Sequence, residues 1–174
     1  MFYICVTSNI NGMSNDFLYE MGYPGLTARL KRLNDLFVIQ TRQFYQEFNI
    51  DIEPNWHMIF VLLEKKGKLA VTEIADFLQI SHPGVIKLVK KMKKNGYLIS
   101  EQDPNDSRKH LLSLSEKAIE KLPQLHHYWE AATEALEDMM DHNTKLLEEL
   151  RIVEQHMIAS DFKERIVQKL NDKN

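Results

Sequence analysis

The sequence predicts a mainly α fold with a single small β-hairpin. Three observations carry that reading. Apolar residues recur at helical spacing over most of the chain from Leu26 onward. One strand–turn–strand pattern, YLISEQ-DPNDSRK-HLLSLS, spans residues 97–115. Basic charge concentrates just before and within that pattern, although the 174-residue chain as a whole carries a formal net charge of -3. With 44% hydrophobic and 27% charged residues, the length allows a sizeable core in one large domain or two small ones.

The elements follow in order. Residues 1–25 hold no sustained period and contain Asn, Gly, Ser and Pro, so they read as a loose N-terminal arm. Met13 offers an alternative start within it. Leu30, Leu33, Phe37, Phe44 and Phe48 then mark a long helix over 26–50. After a break at Asp51, Pro54 suits the first turn of a helix that carries Trp56, Ile59, Phe60 and Leu63 and stops at Gly67. LAV at 69–71 is a short strand. Thr72 reads as an N-cap, with Glu73 in the first turn of a helix that buries Ile74, Ala75 and Leu78.

The next stretch, QISHPGVIKLVKKMKKNG, places Pro-Gly where a turn is usual, ahead of five lysines. Ser81 is well placed as N-cap, which puts His82 and Pro83 in the first turn, where a missing N–H has no intrahelical partner to lose. Asn95-Gly96 ends that helix. The hairpin follows, and Ser115 then opens a long helix to about Met140, with a kink expected at Pro123. A break at 141–143 leads to a helix with Leu146, Leu150, Val153 and Met157. Ser160-Asp161 caps a last helix with Phe162, Ile166 and Leu170.

The single cysteine, Cys5, excludes an intrachain disulfide, and a reducing cytoplasm is the simplest compartment. No apolar run approaches the roughly 18 residues of a membrane helix, and MFYICVTSNI is too short and lacks the basic start of a signal peptide. Charge is unevenly placed. From His82 to Lys109 there are seven Lys/Arg against three Asp/Glu, and from Glu116 to Asp141 seven Asp/Glu against two Lys. A basic module is joined to an acidic helical one, which points to a polyanion-binding face.

Helix, short strand, helix, tight turn, helix and hairpin, over residues 51–114, make a winged helix-turn-helix. Its second helix suits the DNA major groove, which is wide enough for one α-helix. At 100° per residue Val85, Leu88, Val89 and Met92 share one face, while Pro83, Lys87, Lys90, Lys91 and Lys94 lie opposite. Gly84 leaves room for close backbone approach, and the helix N-terminus offers N–H groups to phosphate. In the wing turn, Arg108 and Lys109 sit beside Asp103, Pro104 and Asp106, and an arginine at a hairpin tip can enter a narrow minor groove. The plainer alternatives are a solvated lysine face and an ordinary polar hairpin.

The segment LAVTEIADFLQISHPGVIKLVKKMKKNGYLISEQDPNDSRKHLLSLSEKA resembles the DNA-binding core of the multiple-antibiotic-resistance regulator (MarR) family. Asp106-Ser107-Arg108 matches that family's D-x-R wing motif, and LSLSEKA resembles its strand-to-helix junction. The likeness is specific over about residues 55–118 and extends by helix order toward the termini. It implies a homodimeric transcription regulator that binds double-stranded DNA through Ser81, His82, Pro83, Gly84, Ile86, Lys87, Lys90, Lys91 and Lys94 in the major groove. Arg108, with Lys109 beside it, is implied at the minor groove. Family members often place small hydroxyl residues where this chain has Pro83-Gly84 and Ile86, and the long N-terminal arm is a second departure.

A 60-residue core cannot bury the apolar stripes of the outer helices, so 26–50 and 115–174 read as dimerisation regions. The resemblance further implies a small-molecule effector held between the dimer helices and the DNA-binding lobe, with Phe37, Tyr45, Trp56 and Phe60 as candidate lining residues; the alternative is that these aromatics are core. Other chemistry has little support. His126, His127, Glu130, His142 and His156 could be imagined around a metal, but adjacent helical histidines diverge and no cysteine accompanies them, so no metal or cofactor is expected. Cys5 lacks a basic neighbour that would make it a redox sensor. No phosphate loop, nucleophile elbow or carboxylate pair suggests an enzyme. The expectation is a cytoplasmic DNA-binding regulator, a repressor acting as a homodimer on a pseudo-palindromic operator. The competing class is a winged-helix protein-interaction module.

Overall fold

The computed structural model describes residues 16–173. The expectations for Cys5, for Met13 and for the first part of the arm lie outside these residues. Among the described residues the order is α1 (Phe17–Glu20), α2 (Leu26–Glu47), α3 (His57–Lys66), β1 (Leu69–Ala70), α4 (Val71–Leu78), α5 (His82–Lys94), β2 (Leu98–Gln102), β3 (His110–Leu114), α6 (Glu116–Met139), α7 (Lys145–Ala159) and α8 (Phe162–Asn171). Short 3-10 turns at Tyr23–Gly25 and Pro54–Trp56 lead into α2 and α3. The architecture is the expected mainly α one with a small antiparallel sheet. No helix among the described residues is long and apolar enough to cross a membrane. The described residues divide into two compact units, with the division between Ile119 and Glu120.

In the first unit the core gathers where the apolar faces of α3, α4 and α5 meet the sheet. Ile59, Phe60 and Leu63 of α3, Ile74 and Ala75 of α4, and Val85, Val89 and Met92 of α5 are buried with Tyr97, Leu98 and Leu112. Tyr97 stands edge-on to two neighbours, with ring centroids 5.4 Å from Phe60 and 5.8 Å from Trp56. Each such aromatic pair adds about 0.5–1.5 kcal/mol beyond burial. The sheet order is β1-β3-β2, antiparallel throughout. Register runs from Leu98 opposite Leu114 to Gln102 opposite His110, and the two-residue β1 pairs Leu69 with Leu112 and Ala70 with Leu111.

Two local expectations change. Thr72 is not the N-cap of α4. The helix starts at Val71, Ala70 occupies the cap, and the Glu73 carboxylate accepts a hydrogen bond from the Ala70 N–H at 2.7 Å. The last strand residue thereby also caps the helix, so strand passes to helix with no intervening loop. Residues 16–25, expected in the loose arm, form α1 and a 3-10 turn. Asp16 accepts from the Leu18 N–H at 3.1 Å and from two nitrogens of Arg32 in α2, at 3.1 and 2.6 Å. The Arg32 guanidinium, by hydrogen bond first and charge second, lowers the Asp16 carboxyl below its ordinary value. The Asp16–Arg32 tie joins residues 16 apart and leaves no trace in a helical period.

In the second unit α6 continues through Pro123, with Leu122, Leu125 and Trp129 buried along one helical stripe. Asp141 and His142 adopt left-handed backbone (φ 50° and 51°) where the break was expected. Asp161 caps α8 by accepting from the Glu164 N–H at 2.8 Å. Neither α7 nor α8 contains a buried residue.

Candidate nucleic-acid interface

Local sequence chemistry positions α5 at both ends. At its start, Ser81 has extended backbone and its hydroxyl accepts from the Gly84 N–H at 3.3 Å, with Pro83 in the first turn as expected. A Cβ at residue 84 would lie 3.1 Å from that hydroxyl, so Gly84 makes room for the cap itself. Ahead of Ser81 the chain turns at Gln79, whose backbone is left-handed (φ 52°) and whose side-chain amide donates to the Asp76 carbonyl at 2.6 Å. At the far end Gly96 is left-handed (φ 75°), the Gly96 N–H donates to Lys93 O at 3.0 Å and the Tyr97 N–H to Met92 O at 2.9 Å. These are the two bonds of a Schellman motif, and buried Tyr97 and Met92 supply its apolar contact.

Val85, Val89 and Met92 are buried and Leu88 beside them is half-buried. His82, Pro83, Ile86, Lys87, Lys90, Lys91, Lys93 and Lys94 are all exposed. None of the five lysines pairs with a carboxylate among the described residues. Five unneutralised cations on one 13-residue helix make a strongly positive strip.

The wing projects from the same unit. Its turn is held by Asp103, which accepts from the Asn105 N–H at 2.8 Å, and by Asp106, which accepts from the Arg108 N–H at 3.1 Å. The Gln102 amide spans the turn to Ser107 O at 2.7 Å. Arg108 is 89% exposed at the side chain, and its Nε donates to Asp106 Oδ1 at 3.2 Å. That side-chain bond is the first cause that lowers the Asp106 carboxyl below its ordinary value. Asp106 thus orients the guanidinium without burying it, and Lys109 is exposed beside it.

A bracket not legible in the sequence ties helix to wing. The Tyr97 hydroxyl donates to Asp51 Oδ1, Lys117 Nζ donates to Asp51 Oδ2 at 2.9 Å and to Asn95 O at 2.9 Å, and the same ammonium lies 4.1 Å from the Tyr97 ring centroid. Burial first, then the Asp51 carboxylate, push the Tyr97 phenol above its ordinary value. Ser115 closes the set by donating to Gly96 O at 2.6 Å and accepting from the Ala118 N–H at 3.1 Å. The segment before α3, the end of α5, the base of the wing and the start of α6 are held at one point.

Beside this bracket lies a cleft of about 460 Å³, bordered by Arg42, Tyr45, Asp51, Trp56, Lys91 and Lys94 among others. Of the four aromatics expected around a ligand, Tyr45 and Trp56 border it. Phe60 does not: it has 0% exposure, packed on Tyr97 in the core. Phe37 does not border it either and sits 41% exposed on α2. Arg42, which pairs with Glu53 at 3.0 Å, belongs to the cleft and was missed, as were the cleft-facing positions of Lys91 and Lys94. Trp56 Nε1 is buried and finds no acceptor among the described residues. No group of three or more His, Cys, Asp or Glu among the described residues is arranged to hold a metal.

The MarR family model matches residues 50–109. The uncharacterized HTH-type transcriptional regulator YkoM of Bacillus subtilis (strain 168) is 29% identical over 73 residues, 42% of this chain and 47% of that protein. The HTH-type transcriptional regulator MntR of Lysinibacillus sphaericus (strain C3-41) is 35% identical over 51 residues, 29% of this chain and 37% of that protein. The chain therefore spans less than half the length of either curated relative. Among solved structures, overoxidized AbfR bound to DNA has a TM-score of 0.59 at 17% identity, covering 76% of this chain and 91% of that one. AbfR is a Staphylococcus epidermidis protein. MarR itself has a TM-score of 0.54 at 18% identity, covering 74% and 97%. These likenesses show the fold.

Proposed function

We propose that this chain, whose residues 50–109 match the MarR family model, is a DNA-binding transcriptional regulator that docks α5 in the major groove and Arg108 of the wing in the adjoining minor groove. The observation that carries this reading is the exposed face of α5, whose lysines meet no carboxylate among the described residues while Val85, Val89 and Met92 on the other face are buried. Unneutralised lysines release counterions from the DNA backbone. The regulator is cytoplasmic and works without catalysis, as a repressor that occludes its operator.

It acts as a homodimer. Leu30, Leu33 and Phe37 of α2 and Leu146, Val153, Met157, Phe162, Ile166 and Leu170 of α7 and α8 are all exposed, and a second copy is the partner that covers them. A small-molecule effector occupies the cleft bordered by Tyr45 and Trp56. Selection of bound genomic fragments at stated salt tests the DNA reading: enrichment of one sequence over random DNA is expected, and no enrichment overturns it. Sedimentation at micromolar concentration tests the dimer, and a monomer there contradicts it.

A further inference from the structure

The thirteen residues of α5 contain no Asn, Gln, Arg, Ser, Thr, Asp or Glu. These are the side chains that form most hydrogen bonds to base edges in the major groove. What α5 offers in their place is His82, five lysines and two exposed apolar groups, Pro83 and Ile86. Ile86 is 47% exposed, whereas Val85 and Val89 on the packed side are 0% and 6%. It stands on the row His82–Ile86–Lys90, one turn from each neighbour, and beside Lys87. An isoleucine there leaves about half of its surface to solvent and is flanked by lysines that draw in phosphate. Recognition helices of this type touch base edges with their N-terminal residues, which here are the residues around Ile86. The one apolar group that a base pair displays in the major groove is the thymine C5-methyl.

We propose that Ile86 reads thymine methyl groups, so that the operator has a thymine at a fixed position in each half-site under the first two turns of α5. This rests on the DNA-binding reading above and adds to it the chemistry of the base contact. The lysines hold the helix against the backbone, and specificity from α5 comes from apolar contact together with lysine or His82 bonds to purine acceptors.

The test uses the full chain and the duplex recovered by fragment selection, with each thymine replaced in turn by deoxyuridine. The replacement removes one methyl and leaves base pairing intact. Fluorescence anisotropy at fixed salt is expected to show about a fourfold loss of affinity at one position per half-site, the size of one buried methyl. Ile86→Ala, at an exposed helical position that Ala suits, is expected to fold normally and to bind thymine and deoxyuridine duplexes alike at that position. A wild-type protein indifferent to every replacement overturns the proposal, as does an Ile86→Ala protein that keeps the same sensitivity. Recovery of no operator overturns this proposal together with the regulator reading, whereas an operator read without regard to methyl groups overturns this proposal alone.

Discussion

Lys117 Nζ lies 2.9 Å from the carbonyl oxygen of Asn95, the residue that closes α5. The contact sets a cation against the negative end of the helix dipole, from a residue 22 positions away in the first turn of α6. The same ammonium reaches Asp51 and covers Tyr97, so the end of α5, the wing base and the lead into α3 are tied together at one point.

Lys117→Met keeps the stem and removes the charge. It is expected to lower stability by about 1 kcal/mol, a modest figure because both Lys117 and Asp51 are partly solvated. Urea titration of wild type and variant checks the magnitude. An unchanged midpoint with unchanged slope would show that the bracket contributes nothing.

Tyr97→Phe keeps the ring packing and removes the hydroxyl bond to Asp51, at a cost of about 1 kcal/mol near neutral pH. The phenol titrates higher folded than unfolded. Its contribution is therefore full below the unfolded value of about 10 and is lost as pH rises through the folded one. The stability difference between wild type and Tyr97→Phe should shrink between pH 9 and pH 11, read by denaturant melts at each. A difference that widens over that range has the wrong sign.

Ser81→Ala removes the acceptor of the Gly84 N–H and should cost about 1 kcal/mol of stability. Because that end of α5 carries the proposed base contacts, operator affinity should fall as well. Ser81→Asp, which restores a capping oxygen, should recover the stability while its added charge repels phosphate. Parallel melts and anisotropy separate the two effects.

Lys87→Ala and Lys90→Ala each remove one cation that has no protein partner among the described residues. Each should weaken binding similarly on operator and random DNA and reduce the slope of log K against log salt by about 1. Arg108→Ala should weaken operator binding about tenfold, within the range of groove contacts, and leave the melting temperature unchanged, since the side chain is 89% exposed. Salt titrations and melting curves check both. An unaltered salt slope in both lysine variants argues against phosphate contact.

Much of this arrangement was legible because it is written in local chemistry. The Ser81 cap, the buried row Val85, Val89 and Met92, the Gly96 stop and the wing turn each depend on residues within a few positions of one another. The sheet was only half legible. The hairpin follows from alternation and turn residues, but the pairing of Leu69 with Leu112 needs the folded chain. The bracket was not legible at all, since Asp51 meets Tyr97 and Lys117 across 46 and 66 residues, and neither the hairpin pattern that holds Tyr97 nor the LSLSEKA junction that holds Lys117 points to that contact. Thr72 was misread because a hydroxyl is the usual cap, whereas Glu73 reaches back to the Ala70 N–H and the helix needs no capping side chain. Phe37 and Phe60 share a helical spacing with Tyr45 and Trp56, and spacing alone does not separate an exposed ring such as Phe37 or a core ring such as Phe60 from a cleft wall.

The most direct measurement is a hydroxyl-radical footprint of the full chain on the DNA fragment that it enriches. Two paired recognition helices should leave two protected blocks about one helical turn, ~34 Å, apart, with added minor-groove protection at the flanks where Arg108 sits. A single unpaired block, or protection that spreads evenly along the duplex, would contradict sequence-specific binding by a paired α5.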